Sequence, residues 1–412
     1  MNRRDLWGKI ALGTFLLAGL LGTLFLAAWN NTSIPKLDLI GEISGMEDKS
    51  DERKIAFSYR NGDEQITGYA KIKVQGSSSL AYEKKNYTIK LYSDKDCDEK
   101  MRVDLGWGEQ NKYCLKANWV DRTHARNLVT ANLAAQAQEK YGLLTQTPNN
   151  GCVDGFPVEV YANGRFLGLY TWNIPKDAWM FAMDEDDPNH LVLSGQGWEE
   201  ANYFRAMPGF DTWSMEVGEE SEEVQEKLDR LFDFVMNSSD QEFRDHFSEY
   251  LNLDAAVNYY VISDIAYLHD NLGKNMLLAT YDGQVWYLCL YDLDTSWGTT
   301  NDGLGLVDYQ DRLLDLSANL LLERMEQCFP RELAQRYFEL RAELFSDEHI
   351  LAEFDRFREE IPRLTFAKEI LRWGEGTIPS RADLPGFDYD QIREYLSSVG
   401  PRLDAKYTAL AG

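Results

Sequence analysis

The sequence has few cysteines, and none has the spacing of a metal site. Five cysteines are scattered through 412 residues without a CxxC pair, which excludes a zinc ribbon and a thioredoxin-like motif. Their odd number leaves at least one unpaired, and a disulfide between Cys97 and Cys114 is one open pairing. Cys289 lies in the apolar segment 286–290, so we expect a small buried hydrophobic residue rather than a nucleophile.

Basic residues are also scarce. The chain has 42 Lys and Arg against 68 Asp and Glu, for a net charge of −26. Nucleic-acid binding draws on a positive patch that releases counterions from phosphates, so we expect no nucleic-acid partner. The acidity has a simpler interpretation too, since it keeps an exposed protein soluble. Aromatic residues make up 13% of the chain, which argues against intrinsic disorder.

The sequence has only one long apolar run, at residues 10–29, and this run contains no charged residue. A helix of about 20 residues spans the roughly 30 Å core of a bilayer. Arg3, Arg4 and Lys9 precede the run, and the positive-inside rule therefore places the rest of the chain outside the membrane. We predict a single-pass anchor with an extracytoplasmic catalytic part. A secreted protein is the alternative, because residues 26–28 would accept signal cleavage.

Periodicity predicts an α+β protein with strands first and helices second. The first half alternates polar with apolar residues and is interrupted by one helix at 126–140. The predicted strands are 65–74, 86–92, 157–161, 166–170 and, in the second half, 283–291. The predicted helices of the second half are 222–236, 254–268, 331–345, 347–360 and 389–398.

The first segment with recognisable chemistry is a Gly-Ser turn with a lysine-rich strand after it. Gly76, Ser77 and Ser78 form the turn, and Lys85 and Lys90 follow. Such a loop exposes backbone N–H groups to phosphates, and a lysine on the next strand reaches the same charge. Glycine and serine are also ordinary turn formers, and a solvated edge strand carries lysines as well.

The second segment, residues 115–127, opens the predicted helix at 126. Asp121 is a candidate to cap or orient that helix, and Arg126 is a candidate to contact a phosphate at its positive end. A structural ion pair between Asp121 and Arg126 is an equally good interpretation of the same two residues.

The third segment contains a pattern typical of phosphoryl transfer. Asp270 and Asn275 lie five residues apart, and Asp292 and Asp294 end a predicted strand. Phosphoryl transfer needs a carboxylate to accept the hydroxyl proton, and an amide and a carboxylate to hold Mg²⁺. Protein kinases have the same order, with a catalytic Asp, an Asn five residues later and then a metal-binding Asp. We therefore predict Asp270 as the base and the other three residues as metal ligands.

Together the three segments resemble the spore coat protein H (CotH) kinase family over roughly residues 34–300. The matching features are the Gly-Ser-Ser turn with its lysine strand, the Asn-x-x-Asp-x-x-x-x-Arg-Asn run at 118–127 and the Asp-x-Asp-x-x-x-Gly ending at 292–298. The resemblance implies an atypical protein-kinase-like fold of two lobes. Its parts would be a membrane segment at 1–30, a β-rich lobe at 34–180 and a mainly helical lobe at 181–412.

The resemblance implies transfer of the γ-phosphoryl group of ATP, with Mg²⁺ or Mn²⁺, to Ser or Thr of an exported or cell-surface protein. Two positions depart from the family pattern: Asn173 stands where the family usually has Glu, and Ser194 where many members have Lys. A catalytically weak or inactive surface scaffold with the same fold is therefore an alternative. A metal-dependent hydrolase using the same acidic residues is a third.

Overall fold

The structure is a computed structural model that describes residues 33–303, 305–374 and 389–412. The predicted membrane segment at 10–29 lies outside these residues. None of the helices in the described ranges is both long and apolar enough to cross a membrane.

The first half of the chain forms a closed barrel. Alternate apolar residues point inward, as Ile72, Ile89 and Leu115 do, because successive side chains of a strand face opposite sides. The barrel closes where the first strand pairs in parallel with the eighth, with Lys36 beside Glu159. Its strands, in spatial order, are β1 (Lys36–Ile40), β2 (Arg53–Asn61), β3 (Glu64–Gln75), β4 (Asn86–Tyr92), β7 (Lys112–Lys116), β9 (Arg165–Asn173) and β8 (Gly155–Ala162). A short hairpin, β5 (Val103–Asp104) and β6 (Glu109–Gln110), lies outside it.

A second, four-stranded sheet follows, in the order β11-β10-β12-β13. Every residue of β10 and β12 is buried, which is typical of strands covered on both faces. The strands are β10 (Leu191–Gly195), β11 (Trp213–Val217), β12 (Leu277–Thr280) and β13 (Trp286–Cys289).

Helices make up most of the rest of the second half, and several have clear start signals. Ser221 accepts a hydrogen bond from the Val224 amide at the start of α2, and Ser239 forms a capping box with Glu242 at the start of α3, which satisfies amides without partners in the helix. The helices are α1 (Arg126–Lys140), α2 (Glu222–Asn237), α3 (Asp240–His246), α4 (Leu253–Ala266), α5 (Leu320–Cys328), α6 (Pro330–Arg341), α7 (Asp347–Glu360), α8 (Arg363–Trp373) and α9 (Asp390–Ala411).

Helix α8 packs back onto the outside of the barrel through a buried ion pair. The Lys84 ammonium lies 2.7 Å from the Glu369 carboxylate, and both side chains are nearly inaccessible to solvent. Glu369 also accepts a hydrogen bond of 2.7 Å from the Leu169 amide, and the Trp373 indole donates to the Leu167 carbonyl. The helical tail is therefore joined to the first half of the chain.

The predicted order of a sheet-rich part and a helical part is confirmed. Strand β4 and helices α1 and α7 have the predicted bounds, whereas the closure of the barrel, β11, β12, α5 and α8 were not predicted. All five cysteines lie in the described ranges and are buried and unpaired, so the open pairing of Cys97 with Cys114 is not formed.

Candidate functional site

A cleft of about 590 Å³ separates the outer face of the barrel from the second sheet. Thr88 and Lys116 line it from β4 and β7, while their neighbours Ile89 and Leu115 fill the barrel, because the side chains alternate along each strand. The opposite wall comes from the loops around residues 194–196, 270–275 and 291–294.

The Gly-Ser turn lies at the mouth of this cleft, where Gly76, Ser77 and Ser78 all line the cavity. Gly76 has a φ of +110°, and a Cβ atom there would lie 1.9 Å from Ser79 Oγ, so the turn requires glycine. Across the cleft, Lys274 Nζ donates to Ser78 Oγ over 3.5 Å. The turn therefore faces the loop that contains Asp270.

The Asp270–Asn275 loop is held by the end of strand β10. Asn275 has a φ of +65°, a left-handed conformation that asparagine tolerates better than most residues. Its amide donates to the Gly195 carbonyl over 3.1 Å, and its side-chain amide is 3.5 Å from Asp270 Oδ2. The structure thus brings the predicted base and the predicted metal-binding amide side by side.

The Asp292–Asp294 loop follows β13 and is fixed from two sides. The Asn271 side chain donates to the Tyr291 carbonyl over 2.8 Å, and the Leu293 amide donates to Asn127 Oδ1 of helix α1 over 2.9 Å. Asp292 itself has a φ of +56°, and residues held in sparsely populated backbone conformations cluster at functional sites. Both aspartates line the cleft with Asp270 and Asn275.

The three carboxylates differ in their electrostatic environment. Burial raises the pKa of Asp270, against the opposing charges of Lys274 and His269. Enclosure also acts to raise the pKa of Asp292, but the charge and hydrogen bond of Lys116 outweigh it and leave that pKa below its usual value. Burial and the charge of Asp292 hold the pKa of Asp294 well above its usual value. The environment therefore pushes the pKa values of neighbouring carboxylates apart, a pattern typical of acid–base sites.

Lysines contribute the positive charge of the cleft. Lys116 lies 3.3 Å from Asp292, with its side chain 12% exposed. Burial acts to lower its pKa, but Asp292 and the other acidic neighbours raise it above the usual value. Lys176 Nζ is 2.6 Å from Glu216 and 4.9 Å from the centre of the Tyr291 ring. Lys112 and Lys274 line the same cavity, so several ammonium groups face the carboxylates.

The donor set of the cleft fits a hard divalent cation. Among the described residues, no three His, Cys, Asp or Glu side chains converge closely enough to hold a metal by themselves. Mg²⁺ typically binds one or two carboxylates and completes its shell with water and substrate phosphates. Asp292, Asp294 and Asn275 offer oxygen donors. Asp270 Oδ1 is buried and has no hydrogen-bond partner within the described ranges.

A family model described as "CotH kinase protein" matches residues 72–382. The chain belongs to the CotH kinase family. The match spans the Gly-Ser turn, both acidic loops and helix α8. No curated protein matches the chain.

Two lysines that were predicted to bind phosphates, Lys85 and Lys90, lie outside the cleft. Lys85 Nζ donates to the Leu80 carbonyl over 2.6 Å. Lys90 lies on the outer face of β4, two residues beyond Thr88, and is paired across the sheet with Lys71 and Lys112. The structure brings Lys116 into the cleft instead.

Arg126 is also placed away from the cleft, in a buried network at the start of α1. Its guanidinium pairs with Asp121, donates to the Ser296 carbonyl over 3.2 Å and to Gln391 over 2.6 Å. It thus holds the segment after Asp294 against helices α1 and α9. Of the two interpretations of this segment, the structure contains the ion pair between Asp121 and Arg126.

The two positions that depart from the CotH pattern are both buried. Ser194 Oγ accepts a hydrogen bond of 2.9 Å from Lys176, so an ammonium group from another position occupies the space beside it. The Asn173 side chain has no hydrogen-bond partner within the described ranges.

The pair of Lys176 and Glu216 was not predicted, because the two residues are 40 positions apart in the chain. Only the fold of the second sheet brings them together.

Proposed function

We propose that this CotH-family chain is an atypical protein kinase of two lobes, with the barrel above the cleft and the helical part below. It transfers the γ-phosphoryl group of ATP to a Ser or Thr hydroxyl of an exported or cell-surface protein. The observation that supports this best is the convergence of Asp270, Asn275, Asp292 and Asp294 in one cleft with the Gly-Ser turn and Lys116.

Asp270 would accept the proton of the attacking hydroxyl. Its pKa is raised by burial, and a base works best when its pKa lies closer to the working pH. The Oδ1 atom has no partner within the described ranges, so it has a lone pair for that proton. Asn275, on the other carboxylate oxygen, would keep the side chain oriented.

Asp292, Asp294 and Asn275 would hold the divalent cation. Burial and the charge of Asp292 raise the pKa of Asp294, and the charge of a bound cation would lower it again. When bound, the cation neutralises charge on the β- and γ-phosphates. Lys116 keeps the pKa of Asp292 low, so this carboxylate is ionised at neutral pH and ready to bind. The Gly-Ser turn would contact the phosphates through its backbone amides, and Lys116, Lys176 and Lys274 would supply the positive charge.

A surface scaffold without catalysis is the second candidate, favoured by the buried Asn173 and by Ser194 where the family pattern has charged residues. A transfer assay with radiolabelled ATP and Mg²⁺ or Mn²⁺ separates the two functions. We expect the purified chain to label itself or co-exported proteins, and Asp270→Asn to suppress the label. Binding of Mg-ATP without any transfer would favour the scaffold.

Lys116→Met should weaken nucleotide binding about tenfold or more, because it removes a cleft charge next to the phosphates. Lys90→Met is the matched control, since it removes a lysine from the same sheet outside the cleft and should leave the affinity unchanged. Calorimetric titration of both variants with Mg-ATP measures the difference. A loss of affinity in Lys90→Met alone would show that Lys90, and not Lys116, contacts the phosphates.

We also propose that residues 10–29 anchor the chain in the cell membrane with the cleft on the extracytoplasmic side. The support is the uncharged run and its basic N-terminal flank. Carbonate-washed membranes should retain the protein, and protease added from outside should digest the part after residue 32. Recovery of a soluble form that begins near residue 29 would show signal cleavage instead.

A further inference from the structure

Helix α8 presents an apolar stripe to solvent. The Leu371 side chain is 86% exposed and Leu364 48% exposed, and Ala367 between them is exposed as well. Residues three, four and seven positions apart lie on one side of a helix, so the three form one strip. The opposite side of the helix is fixed to the barrel by Glu369.

The exposed charged residues of helix α8 itself are arginines, on a protein that is strongly acidic overall, whereas the exposed Glu359 and Glu360 lie just before the helix. Arg363 and Arg372 flank the leucines and are exposed. The acidic residue of the helix, Glu369, is buried against Lys84. In a chain with a net charge of −26, the outward face of α8 therefore combines leucines with arginines and has no carboxylate of its own. This combination is typical of helices that lie on anionic membranes.

The stripe lies near the point where the described chain begins. The Glu159 amide donates to the Pro35 carbonyl over 2.9 Å, and the Glu159 carboxylate accepts from Thr365 and Lys368 of α8 over 2.6 Å each. A stem from residue 30 to 35 spans at most about 20 Å when fully extended. An anchor at residues 10–29 would therefore hold this side of the barrel close to the bilayer.

We propose that the outward face of α8, defined by Leu364, Ala367 and Leu371, lies on the surface of the bilayer that anchors the chain. The leucines would enter the headgroup boundary, and Arg363 and Arg372 would contact lipid phosphates. This inference rests on the membrane attachment proposed above. The face is then covered by lipid and not by a second copy of the chain.

The contact would also orient the cleft. Helix α8 is 11 residues long, or about 16 Å at 1.5 Å per residue, and its far end, Trp373, packs edge-on against Trp119 with ring centres 5.9 Å apart. Trp119 lines the cleft. A bilayer contact along α8 would thus fix the angle between the cleft and the membrane. It would also fix the distance from the bilayer surface at which the cleft meets an acceptor protein.

Quenching by lipid tests the proposal on the full chain in vesicles of phosphatidylcholine and phosphatidylglycerol. Leu371→Cys and Leu364→Cys would each carry a bimane label, which is selective because all five native cysteines are buried. Phe338→Cys on helix α6 is the control, as Phe338 is 41% exposed on a helix that packs against α4, α5 and α9 rather than the barrel. Brominated acyl chains should quench both α8 labels several-fold more than the control.

Flotation of the same vesicles measures whether the chain is attached to the membrane, independently of the contact that helix α8 makes. Co-flotation with equal quenching at all three sites would overturn the α8 contact and leave the anchor intact. Failure to float would overturn the anchor and, with it, the inference. Protection of the α8 labels from aqueous iodide in detergent, increasing with protein concentration, would assign the face to a second copy and also overturn the proposal.

Discussion

Asp292→Asn should abolish metal-dependent nucleotide binding and transfer together, whereas Asp270→Asn should keep most of the binding and lose transfer by about 10²-fold or more. The two carboxylates line the same cleft but have different partners. Asp292 pairs with Lys116 and has a lowered pKa, which suits a metal ligand. Asp270 has a raised pKa, which suits a base that acts on the incoming hydroxyl.

Calorimetric binding and radiolabel transfer on the two purified variants measure this difference. Asp186→Asn is the matched control, because it makes the same chemical change in an exposed loop outside the cleft and should behave as the parent does. If both cleft variants transfer phosphate as well as the parent, the site assignment is wrong even though the chain belongs to the family.

Glu369→Gln should lower the free energy of unfolding by about 3 kcal/mol, since it removes the carboxylate of a buried ion pair. The Lys84 ammonium is fully buried and lies 2.7 Å from Glu369. The glutamine can still form hydrogen bonds, but it has no negative charge to pair with the Lys84 ammonium. The loss should appear as an earlier midpoint in urea unfolding of the full chain in detergent.

Glu343→Gln is the control for this stability effect. Glu343 forms an ion pair with Lys140, but its side chain is 66% exposed, and exposed pairs contribute about 0–1 kcal/mol. We also expect Lys84→Met combined with Glu369→Leu to recover part of the loss, because an apolar pair removes the buried charge. Equal shifts for the two glutamines would mean that α8 is not held by the buried pair.

The acidic half of the candidate site could be predicted from the sequence because its signals are local. Asp270 and Asn275 lie in one loop, and Asp292 follows a strand whose apolar residues are easily recognised. The fold then needs to join only two loops, and the structure does join them in one cleft. Their chemical roles remain predictions that the variants above test.

The positive half of the site could not be predicted in the same way. Lys90 and Thr88 point to the same side of β4, so periodicity alone does not tell which part of that face the cleft covers. Lys116 reaches the cleft because β7 pairs with β4 in a register that sets Leu115 beside Tyr87. That pairing and the packing of α8 on the barrel depend on contacts between distant parts of the chain, which a single sequence does not show.

Thermal unfolding of the purified chain with ATP tests whether the cleft binds a nucleotide together with a divalent cation. A ligand that binds the native state raises its unfolding midpoint, and the carboxylates of the cleft require a cation for the phosphates to approach. We expect the unfolding midpoint to rise with ATP and Mg²⁺ or Mn²⁺ together, to rise much less with ATP alone, and to show no metal-dependent rise in Asp292→Asn. An unchanged midpoint at millimolar Mg-ATP and Mn-ATP would contradict nucleotide binding in the cleft.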